Sequence, residues 1–149
     1  MRKPKRQVPE AYRYTTVSAH KSRDEIERRL LNYGAEGIMW QSLRTPEQAE
    51  LQLRFAHRKR TYLFSVKLGQ DPQDERQRMR ALYWGIKAMV DQAEFGILRL
   101  EDLLLAYTQV MLPNGVSTTV ANLVQEDLAH QAVPSLTTSR PALPARSET

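Results

Sequence analysis

The amino-acid sequence predicts an α+β fold: a four-stranded, mainly antiparallel sheet packed against two or three helices, in the chain order β-α-β-β-β-α-α. Two patterns carry this prediction. Apolar and polar residues alternate from Leu51 to Leu68, as in paired strands with one buried face, and apolar residues recur every three or four positions from Pro72 to Phe95, as in an amphipathic helix. Such a mixture favours helices packed on one face of an antiparallel sheet. The order of the strands is left open.

The first strand and the first helix are predicted near the N-terminus. Tyr12 to Ala19 is rich in aromatic and β-branched residues, which favour a strand. Ser22 and Glu25 have the spacing of a capping box, in which each side chain satisfies a backbone N–H of the first helical turn. Apolar residues at helical spacing follow, and Gly34 is a natural end for the helix. These apolar residues are Ile26, Leu30 and Tyr33.

Three more strands are predicted from the next part of the chain. Gly37 to Leu43 is typical of a strand, and Thr45 to Gln48 of a turn. Glu50 to Leu68 predicts a hairpin whose tip, His57 to Arg60, is cationic. One face of the hairpin carries Leu51, Leu53, Phe55, Tyr62, Phe64, Val66 and Leu68. The other face carries Gln52, Arg54, Ser65 and Lys67, interrupted by Leu63. The hairpin is therefore expected to bury one face and expose a partly basic one.

Helices are predicted for most of the remaining domain. Asp71 is a suitable N-cap and Pro72 a suitable first residue for the long helix that ends near Phe95. Further helices are predicted over Arg99 to Val110 and Thr118 to His130. The expected core stripe of the long helix is Met79, Leu82, Ile86, Met89 and Ala93, with Val90 at its edge. A neighbouring stripe consists of Arg76, Arg80, Trp84 and Lys87.

The chain has 149 residues and is expected to form one domain over residues 11–130. Residues 1–10 hold two prolines and four basic side chains, and residues 131–149 hold three prolines without an apolar period, so both are expected to be disordered. Cysteine is absent, which excludes disulfides and thiolate metal sites. The basic start leads into no apolar segment, and no run of about 18 apolar residues occurs, so a cytoplasmic protein without a membrane span is expected.

The net charge of +5 is unevenly distributed along the chain. Basic residues crowd the N-terminal arm, the hairpin and the start of the long helix, whereas residues 91–105 carry four carboxylates against one arginine. A separated field of this kind favours a polyanionic partner, although charged runs also serve solubility alone.

The common catalytic constellations are absent from the sequence. His20, His57 and His130 lie far apart, and no metal-ligand spacing, nucleophile motif or glycine-rich phosphate loop occurs. Glu50 at a strand start lacks the acidic and lysine neighbours that a metal nuclease requires. No enzymatic activity, metal or cofactor is therefore expected.

Part of the chain resembles uncharacterised small proteins of tailed phages and prophages. The similar segments are Arg80 to Ala88 (RALYWGIKA), Gly96-Ile97 with Glu101, and the turn Leu112 to Gly115, which correspond to the RAL…IKA helix, the GI…E segment and the LP(D/N)G turn of those proteins. The resemblance covers about residues 12–125. It implies a mobile-element origin and carries no activity and no functional residue.

Two functions are expected from these observations. The first is a small non-enzymatic nucleic-acid-binding protein, phage or prophage encoded, that acts in replication, recombination or transcription; aromatic residues between basic ones suit stacking on unpaired bases. Its predicted binding residues are Arg54, Arg58, Lys59, Arg60, Lys67, Arg76, Arg80, Trp84 and Lys87. The alternative is a phage interaction protein that presents a basic hairpin to the acidic surface of a host protein, such as a polymerase or a defence complex. The oligomeric state is left open.

Overall fold

The computed structural model of the protein describes residues 9–69 and 71–130. The helices are α1 (Ala19–Tyr33), α2 (Pro72–Glu94), α3 (Leu100–Leu103) and α4 (Val120–His130), with a 3₁₀ turn at Leu105–Tyr107. The strands are β1 (Glu36–Arg44), β2 (Ala49–His57), β3 (Arg60–Leu68), β4 (Gln109–Met111) and β5 (Ser117–Thr119). The α+β class is confirmed.

The first three strands form one antiparallel sheet in the order β1-β2-β3. The predicted hairpin is confirmed, with Leu53 opposite Phe64 and His57 opposite Arg60 across β2 and β3. β1 pairs with the other side of β2, and a bulge interrupts this pairing between Glu36 and Met39. The strand β2 is therefore central, and β1 and β3 lie at the edges.

The hydrophobic core lies between one face of this sheet and the helices α1 and α2. Leu51, Leu53 and Phe55 of β2 and Tyr62 and Phe64 of β3 are buried, as their alternation predicts. Their helical partners are Ile26, Leu30, Met79, Ile86 and Val90. Leu82, Met89 and Ala93, which were expected in the core stripe, are only partly buried against it. The long helix begins as predicted, since Asp71 accepts a hydrogen bond from the Gln73 N–H and Pro72 is its first residue.

The strand predicted over Tyr12 to Ala19 does not form. Residues 11–14 form a turn instead, in which Tyr12 has a φ of 58° that is incompatible with an extended strand. The backbone carbonyls of this segment accept hydrogen bonds from glutamine side chains of α2 rather than from a neighbouring strand. The strand prediction from β-rich composition is therefore wrong here, because the backbone carbonyls that would pair in a sheet accept hydrogen bonds from α2 instead.

The capping box predicted at Ser22 and Glu25 is wrong. The helix begins one turn earlier, where the Ser18 hydroxyl accepts a hydrogen bond from the Lys21 N–H. Ser22 is fully buried inside α1, and the Glu25 carboxylate pairs with Arg80 of α2. Gly34 ends the helix as predicted, with a φ of 109° that favours glycine.

The helix predicted over Arg99 to Val110 is also wrong. Only Leu100 to Leu103 are α-helical, and Gln109 to Met111 pair with Ser117 to Thr119 as a short second hairpin around the Pro-Asn-Gly turn. Thr108 also forms a single bridge to Tyr62 at the edge of β3. The sheet of four strands is thus replaced by a sheet of three and a separate pair.

Some predictions concern segments outside the described residues. The arm predicted over residues 1–10 is described only at Pro9 and Glu10, and the whole predicted tail, residues 131–149, lies outside.

Candidate functional site

The tip of the β2–β3 hairpin is a two-residue loop with a left-handed backbone. Arg58 and Lys59 have φ values of 48° and 65°. Two-residue loops of this handedness favour asparagine and glycine, because a side chain in the left-handed region costs about 1–2 kcal/mol per residue. Long cationic side chains stand where the local backbone prefers small residues. Such a local conflict is typical of a functional position.

The tip contacts the acidic start of α3. The Arg58 guanidinium lies 3.5 Å from the Glu101 carboxylate, and the buried His57 ring lies 3.9 Å from the same group. Burial raises the pKa of the neighbouring Tyr62, an effect that the charge of Arg60 opposes. The hydrogen bond from Arg99 lowers the pKa of Asp102 in the same helix. Part of the positive charge at the tip is therefore compensated within the molecule.

The face of the sheet opposite the core, here called the open face, carries two cations without an acidic partner. Arg54 lies between Met39 and Leu63 in one cross-strand row. No hydrogen bond or ion pair is formed by Arg54 or Lys67 side chains within the described residues, and the Arg54 Nε is buried without an acceptor. The remaining residues of the open face are Glu36, Gln41, Leu43, Glu50, Gln52, Ala56, Thr61 and Ser65.

The open face combines apolar side chains with positive charge, and no aromatic residue is among its strand residues. Met39 and Leu43 of β1 are 55% and 41% exposed. Two carboxylates belong to its strands: Glu36 lies opposite Ala56, and Glu50 accepts hydrogen bonds from the Ser65 hydroxyl and the Gln52 amide. An anionic partner would therefore contact Arg54 and Lys67. A nucleic acid would have no aromatic side chain among the strand residues of this face on which a base could stack.

The predicted residues of α2 lie on the helical side of the molecule, away from the open face. Arg80 is buried, donates to the Glu25 carboxylate at 2.6 Å and stacks on the Tyr83 ring at 4.0 Å. Lys87 pairs with Asp91 at 2.7 Å. The Arg76 guanidinium hydrogen-bonds to Gln73, and Trp84 is 44% exposed. The nine predicted residues thus form two separate groups rather than one path.

Two glutamines of α2, which sequence reasoning did not single out, hold the N-terminal segment. The Gln77 amide donates to the carbonyls of Pro9 and Ala11, and the Gln73 amide donates to those of Arg13 and Thr15. Because both amides bind only backbone carbonyls of the N-terminal segment, the side chains of that segment give no sequence signal for the contact. The sequence signal that could have revealed this contact is the pair of glutamines four residues apart, which lie on one face of the helix.

The first described residue, Pro9, packs beside α2. It lines a small cleft with Arg78 and Ala81 of that helix. The Arg78 guanidinium donates to the Lys67 carbonyl at 2.9 Å and pairs with Asp74. The cleft therefore lies near the point where α2 contacts the end of β3.

A second surface, in the C-terminal part of the domain, is apolar and acidic. Among the described residues, nine of the fifteen exposed large apolar side chains lie in residues 95–128. These nine residues, here called the C-terminal surface, are Phe95, Ile97, Leu98, Leu105, Tyr107, Met111, Val116, Val124 and Leu128. Residues 100–139 contain four carboxylates and no lysine or arginine. Sequence reasoning assigned the apolar residues of this region to core stripes and missed their exposure.

The described residues contain no arrangement typical of a catalytic centre. No group of three histidine, aspartate or glutamate side chains among them is placed to hold a metal ion. An open cleft of about 510 Å³ is lined by Tyr14, Thr15, Thr16, Gln73 and Arg76, without a paired acid and base. Within residues 9–69 and 71–130, no helix is long and apolar enough to cross a bilayer.

Comparisons with protein-family models, curated proteins and solved structures find no match. The open face and the C-terminal surface are therefore the features of the described residues that bear on function.

Proposed function

We propose that this protein is a non-enzymatic interaction protein that docks on a partner protein through its C-terminal surface. The observation that carries the proposal is the concentration of exposed apolar side chains there, with Phe95 81% exposed and Met111 75% exposed. Exposed large apolar side chains that cluster on a surface typically mark interaction sites, and nine of them fall within this one part of the chain.

The helix α4 is the part of this surface that most needs a partner. It has eleven residues, none of them buried, and every residue from Val124 to His130 is exposed. Isolated helices shorter than about 12–15 residues are marginal in water, and most helices in proteins depend on packing of an apolar face. Val124 and Leu128, which are 51% and 59% exposed, lie one turn apart and supply such a face.

The charge of this region indicates the chemistry of the partner. The sequence of α4 contains Glu126 and Asp127, and residues 100–139 contain no lysine or arginine. An apolar groove bordered by lysine or arginine would complement it. The resemblance to tailed-phage and prophage proteins supports a protein of mobile-element origin that acts in the host cytoplasm, with a host polymerase or defence complex as partner.

Affinity capture from a bacterial lysate, with and without nuclease, tests this proposal. The tagged full chain is compared with a Val124→Asp, Leu128→Asp variant and with a matched Leu31→Asp control, because Leu31 is a 56% exposed apolar residue of α1 outside the surface. We expect a protein to be retained after nuclease treatment by the parent and the control, and lost with the α4 variant. Equal retention by all three would contradict the proposal.

A second candidate function, binding to nucleic acid, is favoured by the basic side of the molecule. The hairpin tip keeps Arg58 and Lys59 in a costly backbone conformation, and Arg54 and Lys67 have no acidic partner in the described residues. The sequence before Pro9 adds Arg2, Lys3, Lys5 and Arg6 to the positive charge of the chain. Arginine and lysine side chains in such positions suit phosphates.

Mobility-shift measurements with single-stranded and double-stranded oligonucleotides test the second candidate. Replacing Arg58, Lys59 and Arg60 by serine should weaken binding, whereas Arg80→Gln should matter less, because Arg80 is buried. For single strands, the logarithm of the affinity should fall with the logarithm of the salt concentration by about 0.7 per phosphate contact. Absence of binding at low salt would exclude this candidate.

A further inference from the structure

We propose that two copies of this chain pair through the outer edge of β1, so that two three-stranded sheets join into one antiparallel sheet of six strands. The inference goes beyond the proposed docking function, because it concerns the sheet rather than the C-terminal surface. A strand at a sheet edge presents unpaired backbone N–H and C=O groups, to which a second strand can add. β1 is the strand of this molecule whose edge and side chains suit a second copy.

The C-terminal part of the domain occupies the outer edge of β3. Thr108 forms a bridge to Tyr62, and the Tyr107 ring stacks on the Phe64 ring at 4.2 Å. The short strand β4 follows directly after Thr108 and lies beside β3. This edge is therefore partly covered by the molecule itself.

The outer edge of β1 is left open. β1 pairs with β2 on one side, and no strand within the described residues pairs with its other side. The bulge between Glu36 and Met39 disturbs only the start of the strand. Residues 39–44 form a regular edge that contains neither proline nor lysine, two residues that commonly keep sheet edges from pairing. This segment can therefore pair with a further strand.

The side chains of β1 select one register for a second copy. Residues directly opposite each other in an antiparallel pair point to the same face of the sheet, so a two-fold pair of β1 strands must be centred on one residue. Centring the pair on Gln41 places Met39 opposite Leu43 of the second copy, and Leu43 opposite its Met39. Both residues belong to the open face and are exposed in the single chain. This register therefore buries them against each other.

The same register makes each row of residues across the joined open face complementary to itself. The β2 neighbours of Met39, Gln41 and Leu43 are, in that order, Arg54, Gln52 and Glu50. The central row therefore holds four glutamines, whose amides both donate and accept hydrogen bonds. Each flanking row has an apolar pair in the middle, with Arg54 of one copy at one end and Glu50 of the other copy at the other. Centring on Trp40 or Ser42 would instead place Gln41 opposite an apolar side chain.

The other side of β1, which faces the helices, accepts this register as well. Trp40 lies opposite Ser42 of the second copy, so that a large side chain meets a small one. The Trp40 ring is partly buried against the core, and its N–H donates to the Glu27 carboxylate at 2.7 Å. The two strands can therefore approach to the usual spacing of about 4.8 Å without two bulky rings opposing each other.

Analytical ultracentrifugation of the full chain, over a range of protein concentrations, tests this pairing with two matched variants. The like-charge variant carries Met39→Lys and Leu43→Lys, which sets lysine against lysine in both flanking rows. The opposite-charge variant carries Met39→Glu and Leu43→Lys, which sets glutamate against lysine in both rows and places each new charge beside an opposite charge of β2. We expect the parent and the opposite-charge variant to form dimers. The dissociation constant of the like-charge variant should be higher by about tenfold or more.

Circular dichroism verifies that each variant is folded, and Ile97→Ser, an exposed position outside the sheet, is a control that should remain dimeric. Hydrogen exchange of the parent gives a reading that needs no variant, because backbone amides of residues 39–44 should exchange more slowly as the protein concentration rises. A parent that stays monomeric at every concentration, or exchange in β1 that does not depend on concentration, would overturn the inference. So would a folded like-charge variant that dimerises as tightly as the opposite-charge one.

The capture experiment separates this inference from the proposed docking function. A monomeric parent that still loses its captured protein through Val124→Asp with Leu128→Asp would overturn the dimer alone. A monomeric parent whose like-charge variant loses the captured protein would make a strand of that protein the occupant of the β1 edge, and would likewise overturn the dimer. A dimeric parent whose α4 variant retains the captured protein would instead contradict the docking function and leave the dimer standing.

Discussion

The layered region from α1 to α2 and the C-terminal region after it differ in how they use apolar residues. Every buried apolar residue of the described chain except Leu100 and Leu104 belongs to the layered region, where both helices pack on one face of the sheet. The C-terminal region, residues 95–130, has a comparable supply of leucine, valine and methionine, but six of these thirteen residues are exposed, five are partly buried and two are buried. The difference teaches that the first region is stabilised by its own core, whereas the second buries a smaller share of its apolar side chains in the described residues.

The two regions also differ in charge. The sheet and the hairpin tip carry Arg54, Lys59 and Lys67 without an ion pair in the described residues, while residues 100–139 lack lysine and arginine. Within one molecule the regions already attract each other, since Arg58 reaches Glu101.

The distinction between the layered region and the C-terminal region would be wrong if apolar residues of both contributed equally to stability. Phe55→Ala should lower the free energy of unfolding by about 3–5 kcal/mol, because it leaves a cavity beside Tyr62 and Phe64. Leu128→Ala should change it by less than about 0.5 kcal/mol in the monomer, because Leu128 is exposed. Urea denaturation at low protein concentration measures both, and similar losses would contradict the distinction.

The buried ion pair between α1 and α2 sharpens the account of the layered region. Arg80→Ala should lower stability by about 1.5–3 kcal/mol, because it removes a charged hydrogen bond to Glu25 and the stacking on Tyr83. Lys87→Ala is the matched control on the same helix and should cost only about 0.5 kcal/mol, as for a surface pair. If the two losses are equal, Arg80 is not the structural residue that its burial indicates.

The start of α1 is tested by two serine substitutions. Ser18→Ala should lower stability by about 0.5–2 kcal/mol, since it removes the N-cap hydrogen bond to Lys21. Ser22→Ala should leave stability unchanged or raise it, because the buried Ser22 hydroxyl has no hydrogen-bond partner in the described residues. Thermal unfolding compares them, and the reverse order would restore the cap predicted from the sequence.

The attachment of the N-terminal segment to the layered region is tested through Gln77. Gln77→Ala should lower stability by about 0.5–1.5 kcal/mol and expose residues 9–15 to proteases, because the amide holds the carbonyls of Pro9 and Ala11. The exposed Gln92 of the same helix provides the control substitution. Unchanged cleavage in Gln77→Ala would show that the clamp does not restrain the segment.

The smallest expected effect concerns the hairpin tip, where the regions meet. Arg58→Asn with Lys59→Gly should raise stability by about 0.5–1 kcal/mol, because asparagine and glycine adopt the left-handed backbone at a lower cost than arginine and lysine. Chemical denaturation measures the gain, and any partner binding that uses the tip should weaken. A loss of stability would mean that the contact of Arg58 with Glu101 outweighs the backbone strain.

Much of the layered region could be predicted because its signals are local. The alternation from Leu51 to Leu68 fixed the strands and the buried face of the hairpin, and Asp71-Pro72 marked the start of α2. The prediction failed at Tyr12 to Ala19 and at Arg99 to Val110, where composition and period pointed to one structure and contacts with distant residues favoured another. The nine predicted binding residues were chosen by charge, which does not reveal that Arg80 and Lys87 have carboxylate partners.

The sequence by itself determined the α+β class, the central hairpin with its cationic tip, the long helix and the division of charge, because each depends on residues close together in the chain. Only the tertiary structure decided that the sheet has three strands and that Gln73 and Gln77 hold the N-terminal segment. It also decided that the nine residues of the C-terminal surface remain exposed. An apolar period shows that a helix has a face to bury, but not whether the chain provides anything to cover it. The exposure of Val124 and Leu128 in α4 is therefore visible only in the folded molecule, where the other described residues leave these two side chains uncovered.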